Sequence, residues 1–187
     1  MSERNNYDRW QSESAELLLD ELYECCASDG LSEEHIREII ERHQLTPHDE
    51  NQVRNYRFFL AACCNANATV GVIQYLLKYF PADEDGQLPL HHACLSNDVS
   101  LGVIQLLIDA APDSVRREHN GGRMPLHYLC KNKDLEKSTA LEILKLFLEN
   151  CPESIRHKSD KGALPIHIAA IKTKSPEFLS VLIEAYP

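Results

Sequence analysis

The chain has 187 residues, of which 43% are hydrophobic and 26% charged, and its formal net charge is −10. This composition excludes collagen-like, low-complexity and wholly disordered proteins, and the length predicts about one domain. No apolar run approaches the roughly 18 residues that a membrane-spanning helix needs, so we expect no membrane partner.

The N-terminal quarter holds the whole excess of negative charge. Residues 1–50 contain 14 acidic and 4 basic side chains, whereas residues 51–187 contain 15 of each. Proteins that bind phosphate backbones carry a basic stripe, and none is present, so we do not expect nucleic acid as a partner. Residues 1–12 are polar and lack the apolar segment of a secretory signal, and we predict a disordered N-terminus there.

The first two predicted elements are helix pairs, at about residues 13–50 and 51–82. Residues 22–44 align without a gap on residues 90–112, and residues 72–76 match residues 103–107. The second helix of the first pair opens with Glu33 and Glu34, where negative charge favours the helix dipole. A polar first pair is typical of the N-terminal cap of a repeat array.

The next three predicted elements share a signature of Gly, two residues, Pro, an aliphatic residue and His. The copies lie at about residues 83–118, 119–158 and 159–187, and successive signature prolines are 36 and 40 residues apart. A period of this size is typical of repeat proteins. The signature residues, to which we assign a structural role, are Gly86, Pro89, His91, Gly122, Pro125, His127, Gly162, Pro165 and His167.

Local chemistry predicts a short helix followed by a longer one in each copy. The glycine supplies a turn position with positive φ, and the proline fits the first turn of the short helix. A second proline, such as Pro112 or Pro152, stops the longer helix. The predicted N-caps of the longer helices are Ser32, Thr69, Ser100, Ser138 and Ser175.

The Pro-Leu-His and Pro-Ile-His triplets, with a Gly three residues before each proline, resemble the ankyrin-repeat family, whose ~33-residue units carry a T-P-L-H-x-A signature. The resemblance covers about residues 22–187. Its Thr is replaced by Leu88, Met124 and Leu164, and one copy has four extra residues near 131–137. The resemblance implies an all-α ankyrin-repeat solenoid of about five stacked helix-turn-helix repeats with short β-turn or hairpin fingers.

The resemblance also implies a non-catalytic protein–protein interaction module that binds a partner protein through a concave face of fingers and inner helices. No nucleophile elbow, phosphate loop or H-E-x-x-H motif is present, so we do not expect an enzyme. The predicted finger tips shift from acidic to basic along the chain. The candidate partner contacts are Glu84, Asp85, Gln87, Leu95, Ser96, Asn120, Arg123, Lys131, Asn132, Asp160, Lys161, Ala163, Ile171 and Lys172.

The signature histidines, His91, His127 and His167, raise the hypothesis of a metal site. Neighbouring repeats lie about one helix diameter, ~10 Å, apart, whereas zinc ligands must converge within ~2.3 Å of one ion. A column of residues one repeat apart therefore cannot share a metal, and we predict neither a metal nor a cofactor. The resemblance implies a structural role for this histidine, with its ring nitrogens hydrogen-bonded to nearby backbone groups.

The seven cysteines are predicted to be reduced, because their number is odd and no secretory signal precedes them, which favours a cytoplasmic or nuclear location. Cys25, Cys64 and Cys151 are expected to be the more exposed and reactive thiols. They leave open an alternative function as a thiol- or metal-responsive protein. The remaining four, which occupy the family's small-residue position and are expected in the core, are Cys26, Cys63, Cys94 and Cys130.

Three expectations remain. The lysines Lys131, Lys133 and Lys137 form a solvated loop or a contact for an acidic partner. The last helix, near residues 178–183, has no polar capping unit after it, so one face should be apolar, and we expect self-association through this end. A second alternative function is that of a regulatory ankyrin segment in a larger enzyme or signalling protein.

Overall fold

The computed structural model describes residues 13–45, 57–82 and 85–186. The N-terminal segment 1–12, for which the sequence predicts disorder, lies outside these ranges. The described residues form α-helices and two short 3-10 helices, without a β-strand. Within these ranges, no helix combines the length and apolarity that crossing a bilayer requires.

The chain divides into two compact units, Met1–Glu84 and Asp85–Pro187. The helices of the first unit are α1 (Glu13–Ala27), α2 (Glu33–Arg42), α3 (Arg57–Cys64) and α4 (Val70–Tyr79). Those of the second unit are α5 (Pro89–Leu95), α6 (Leu101–Ala110), α7 (Pro125–Lys131), α8 (Lys137–Asn150), α9 (Pro165–Ile171) and α10 (Pro176–Glu184).

The described residues of the first unit form two helix pairs whose equivalent helices pack together. Helix α1 lies against α3, and α2 lies against α4. Phe58 and Phe80 are buried in the core between them, with ring centroids 5.1 Å apart in an edge-to-face arrangement. Such an aromatic pair adds about 0.5–1.5 kcal/mol to the stability that burial alone provides.

The second unit consists of three helix pairs in two layers. Helices α5, α7 and α9 pack side by side in what we call the inner layer, and α6, α8 and α10 form the outer layer. The core lies between the layers and includes Leu90, Ile104, Leu144 and Phe147, all fully buried. Each such side chain contributes about 1.5–3 kcal/mol on burial.

Side-chain caps begin the second helix of each pair. The hydroxyls of Ser32, Thr69, Ser100 and Ser175 each accept a hydrogen bond from the backbone N–H three residues later, which confirms four predicted N-caps. The fifth prediction, Ser138, is wrong. Helix α8 begins at Lys137, and its N-cap is Glu136, whose carboxylate accepts from the backbone N–H of Thr139 at 2.8 Å.

The cap of α8 is a carboxylate because two hydroxyls near the helix start converge on it. The side chains of Ser138 and Thr139 both donate to Glu136 Oε2. These hydrogen bonds, the one from Ser138 first, lower the pKa of Glu136 to about 2. The negative charge also lies at the positive end of the helix dipole. Ser138 thus supports the cap from inside the helix.

The prolines that follow α6 and α8 start new helical turns as well as ending the old ones. Pro112–Arg116 and Pro152–Arg156 are 3-10 helices. Each turns one aliphatic side chain, Val115 or Ile155, into the core, where it is buried. The Pro-x-Ser-aliphatic-Arg segments therefore close the outer layer after each helix.

Two asparagines bridge neighbouring helix pairs, one in each unit. In the first unit, the Asn65 side-chain amide donates to the carbonyls of Cys26 (3.0 Å) and Ser28 (2.6 Å). In the second unit, the Asn132 amide donates to the carbonyls of Cys94 (3.1 Å) and Ser96 (2.9 Å). Cys94 and Ser96 lie 68 residues after Cys26 and Ser28, so the two bridges join equivalent positions.

Candidate partner-binding surface

Two of the three signature histidines, His91 and His127, each join their own inner helix to the turn of the following copy. In His91 and His127, Nδ1 accepts from the backbone N–H of Leu88 (3.0 Å) and Met124 (3.2 Å). Because Nδ1 is an acceptor there, Nε2 carries the proton and donates to the carbonyls of Arg123 (3.2 Å) and Ala163 (3.3 Å).

The buried position of these rings opposes protonation. Burial, followed by the neighbouring His157, lowers the pKa of His127 to about 4. The ring of His167 makes the same Nδ1 contact, with the Leu164 N–H at 3.2 Å, but is exposed. Among the described residues, no three His, Cys, Asp or Glu side chains are arranged to hold a metal ion.

The turns that precede α7 and α9 are each closed by a glycine N–H. Gly122 donates to the carbonyl of His119 (2.9 Å), and Gly162 donates to that of Ser159 (2.7 Å). The φ angles of Gly86, Gly122 and Gly162 are 75°, 64° and 74°, the left-handed region that favours glycine. We call these three segments the glycine turns.

Backbone hydrogen bonds also link each glycine turn to the next. The N–H of Asn120 donates to the carbonyl of Asp85 (2.9 Å), and the N–H of Asp160 donates to that of Gly121 (3.2 Å). The turns therefore form a connected row along one side of the second unit. Their exposed side chains include Asp85, Asn120 and Asp160.

Most of the partner contacts suggested by the sequence lie at the surface of the second unit. Glu84 is outside the described residues. Four are half-buried, namely Gln87, Ser96, Arg123 and Ala163. Eight are exposed, namely Asp85, Leu95, Asn120, Lys131, Asp160, Lys161, Ile171 and Lys172.

Asn132 is the exception, and its interpretation as a partner contact is wrong. The residue is buried, and its amide N–H groups are used in the bridge to Cys94 and Ser96. Its Oδ1 accepts from the backbone N–H groups of Asp134 and Leu135, both at 3.1 Å. All of its side-chain polar atoms are therefore engaged within the fold.

Equivalent positions of the inner layer present a row of exposed side chains. Leu95, Lys131 and Ile171 each lie six residues after the proline that starts their helix. The Lys131 ammonium lies 6.0 Å from the ring centroid of Tyr128, at the edge of cation–π range. In the sequence, these three residues stand at the same distance after Pro89, Pro125 and Pro165, but only the packed structure shows that this position is exposed.

The cysteines divide into buried and accessible groups. Cys26, Cys63, Cys94 and Cys130 are buried, as predicted, and Cys64 is exposed. The expectation for Cys151 is wrong, because it is fully buried where the 3-10 helix Pro152–Arg156 folds back after α8.

Burial controls the acidity of these thiols. It raises the pKa of Cys26 and of Cys130 to about 12, and it raises the pKa of Cys64 as well, although that side chain is exposed. An activated thiol has a lowered pKa, and each of these three thiols is shifted in the opposite direction.

Thiol labelling of the native protein should follow this division. With a maleimide at pH 7, we expect Cys64 to react first, half-buried Cys25 more slowly, and the five buried cysteines only after addition of denaturant. Peptide mapping after timed quenching identifies the labelled positions. A Cys64→Ser variant should remove the fast phase. Fast labelling of Cys94 or Cys151 in the native protein would contradict the structure.

A cleft in the first unit lies between α1 and α3. It has a volume of about 250 Å³, and its described lining residues are Leu19, Asp20, Tyr23, Arg57 and Phe58. The Arg57 guanidinium lies 5.1 Å from the centroid of the Tyr23 ring. The described lining thus presents one carboxylate, one guanidinium and one phenol.

Comparison with known families adds one finding about the second unit. A family model described as an ankyrin repeat matches residues 85–115. The matched segment contains the Gly86 turn, helices α5 and α6 and most of the following 3-10 helix. No curated protein matches the chain.

Proposed function

Because the chain is an ankyrin-repeat protein, we propose that it is a non-catalytic protein–protein interaction module. The five helix pairs of the described residues would be five such repeats, at about residues 13–50, 51–82, 83–118, 119–158 and 159–187. The partner protein would bind the face formed by the glycine turns, acting as fingers, and the inner helices. Repeat arrays commonly use such an extended surface for recognition.

The observation that carries this proposal is the surface of the second unit. Exposed side chains recur at equivalent places, on the glycine turns (Asp85, Asn120, Asp160) and on the inner helices (Leu95, Lys131, Ile171). Their backbones are fixed by capped helices, buried histidines and hydrogen bonds between successive turns. A rigid scaffold lowers the entropy cost of binding, which suits recognition of a partner.

The proposal is tested by capture of partners from a native extract. The triple variant Asp85→Ala, Arg123→Ala, Lys131→Ala removes one acidic and two basic groups from the proposed face. A matched control, Glu142→Ala, Lys145→Ala, Arg116→Ala, removes the same charges from exposed positions elsewhere in the second unit.

We expect the wild-type chain and the control to retain the same proteins. The triple variant should retain at least about fivefold less of them, since loss of a single dominant contact of an interface costs more than about 1 kcal/mol. Quantitative mass spectrometry of the eluates measures the difference. Equal retention by both variants would reject this face. Absence of any protein retained above the bare matrix would reject the interaction module itself.

The other predictions of location and assembly remain predictions. All seven cysteines are free, which suits a reducing compartment such as the cytoplasm or nucleus. Ile183 and Tyr186, on and after α10, are exposed, as self-association through the last helix pair would require.

A further inference from the structure

The row Leu95, Lys131, Ile171 combines apolar and basic character at one register of three adjacent helices. Leu95 is 37% exposed and Ile171 is 75% exposed. Each of the three is six residues after the first proline of its helix, so the row crosses α5, α7 and α9 in order. An exposed aliphatic side chain is ordinary by itself, but two at the same register of one layer form a repeated feature.

The row lies at the C-terminal ends of the three inner helices. Leu95, Lys131 and Ile171 are the last residues of α5, α7 and α9. In α7 every earlier residue, Tyr128 included, is buried, and Lys131 is exposed. The exposed row is therefore confined to one end of the inner layer.

The ends of α7 and α9 also carry uncompensated positive charge. Among the ion pairs of the described residues, Lys133 pairs with Asp134 at 3.8 Å, but neither Lys131 nor Lys172 has a carboxylate within 4 Å. The helix dipole favours a positive charge near the helix C-terminus, which explains why Lys131 and Lys172 lie there. The dipole does not account for the apolar side chains on both sides of Lys131.

Lys174, which lies beyond the end of α9, is engaged by the fold, in contrast to Lys131 and Lys172. The Lys174 ammonium donates to the carbonyl of Asn132 and lies 5.0 Å from the centroid of the Phe178 ring. Burial lowers the pKa of Lys174. Lys131 and Lys172 are exposed and point to a partner that brings negative charge.

We propose that this row binds a short acidic segment of a partner protein, with apolar side chains over Leu95 and Ile171 and a carboxylate at Lys131. This rests on the proposed function and names the chemistry of its partner. Packed helices lie about 8–10 Å apart, so Leu95 and Ile171 are roughly 16–20 Å apart. An extended chain covers about 3.3 Å per residue, which places the two apolar side chains about five or six residues apart.

The probe is a random twelve-residue peptide display library selected on the immobilised full chain. We expect the retained peptides to be enriched in Asp and Glu between two apolar residues that are five or six positions apart. The best peptide is then synthesised with a fluorescent label for anisotropy titration. Retention of basic peptides, of peptides without an apolar pair, or of none would overturn the proposal.

Charge reversal identifies the site of binding. Lys131→Glu should weaken binding of the acidic peptide at least about tenfold, as removal of one partner of a well-placed charge pair does. Lys145→Glu, the same change at an exposed position of the outer layer, should leave it within twofold. A peptide with its central carboxylate replaced by lysine should regain affinity for Lys131→Glu. Equal effects of the two substitutions would overturn the proposal.

Removal of the apolar side chains tests the other half of the row. The double variant Leu95→Ser, Ile171→Ser should lose at least about tenfold in affinity, whereas Leu17→Ser, at an exposed leucine of the first unit, should lose little. If proteins are captured from the extract through the proposed face while the library yields no acidic peptide, this inference fails and the interaction module stands. If both experiments fail, both are rejected.

Discussion

Gly122→Ala is expected to lower the free energy of unfolding of the second unit by about 3 kcal/mol, whereas Gly162→Ala should lower it by only about 1 kcal/mol. Both glycines have positive φ, 64° and 74°, so each alanine incurs the cost of the left-handed conformation. Of these two glycines, only Gly122 has the following turn packed against it. A Cβ there would lie 2.8 Å from the backbone nitrogen of Asp160.

The larger loss at Gly122 has a backbone cause. The N–H of Asp160 donates to the carbonyl of Gly121 at 3.2 Å, so moving Asp160 away from a new methyl group weakens the link between two turns. A Cβ on Gly162 meets no atom within 4 Å. Urea unfolding followed by circular dichroism measures both variants, and Gly162→Ala is the matched control. Equal losses would show that the turns are not packed as described.

Acidification from pH 7 to pH 4 is expected to remove about 3 kcal/mol of stability through His127 alone. Its folded-state pKa is lowered to about 4 by burial and by His157, against 6.5 when unfolded. The unfolded chain therefore takes up the proton first as the pH falls. Stability from this residue is fully present above pH 6.5 and is lost progressively as the pH approaches 4.

The geometry explains why His127 resists the proton. Its Nδ1 already accepts a hydrogen bond from the Met124 N–H at 3.2 Å. A proton on Nδ1 would place two donors, the ring N–H and the Met124 N–H, face to face. The ring of His157 stands at a centroid distance of 5.8 Å, and its Nε2 lies 3.3 Å from Glu118. A positive charge on His157 would add repulsion to the cost of burial.

The measurement is urea unfolding of wild type and His127→Gln between pH 4 and pH 7. The variant should be less stable than wild type at pH 7. The difference in the free energy of unfolding between the two proteins should be about 3 kcal/mol smaller at pH 4, because the variant has no proton to take up at this position. Leu129→Ala is the control, since it also destabilises the core of α7 but carries no titratable group. If the difference in the free energy of unfolding between wild type and His127→Gln did not change with pH, the burial of the His127 ring would be contradicted.

The parts of the fold that follow from neighbouring residues were predictable from the sequence. The signature prolines start α5, α7 and α9, and the hydroxyl caps start four of the longer helices. Each depends on a few consecutive residues whose backbone preferences agree. Burial of Cys26, Cys63, Cys94 and Cys130 also followed, since their spacing matches the small-residue position of the repeat.

What the sequence did not predict depends on contacts between distant residues or on competition between near ones. Ser138 and Glu136 could each cap α8, and the choice depends on where the chain leaves the extended conformation. Cys151 is buried by the turn that follows it. Asn132 is polar and follows an exposed lysine, so it suggests a surface residue until its partners, 36 and 38 residues earlier, are known.

The asparagine bridges place unequal demands on the two positions that they join. The acceptors are the main-chain carbonyls of Cys26, Ser28, Cys94 and Ser96, which any residue supplies, whereas the donors are the side-chain amides of Asn65 and Asn132. Sequence drift at the serine of a bridge should therefore leave its hydrogen bonds intact, whereas drift at the asparagine removes both of them.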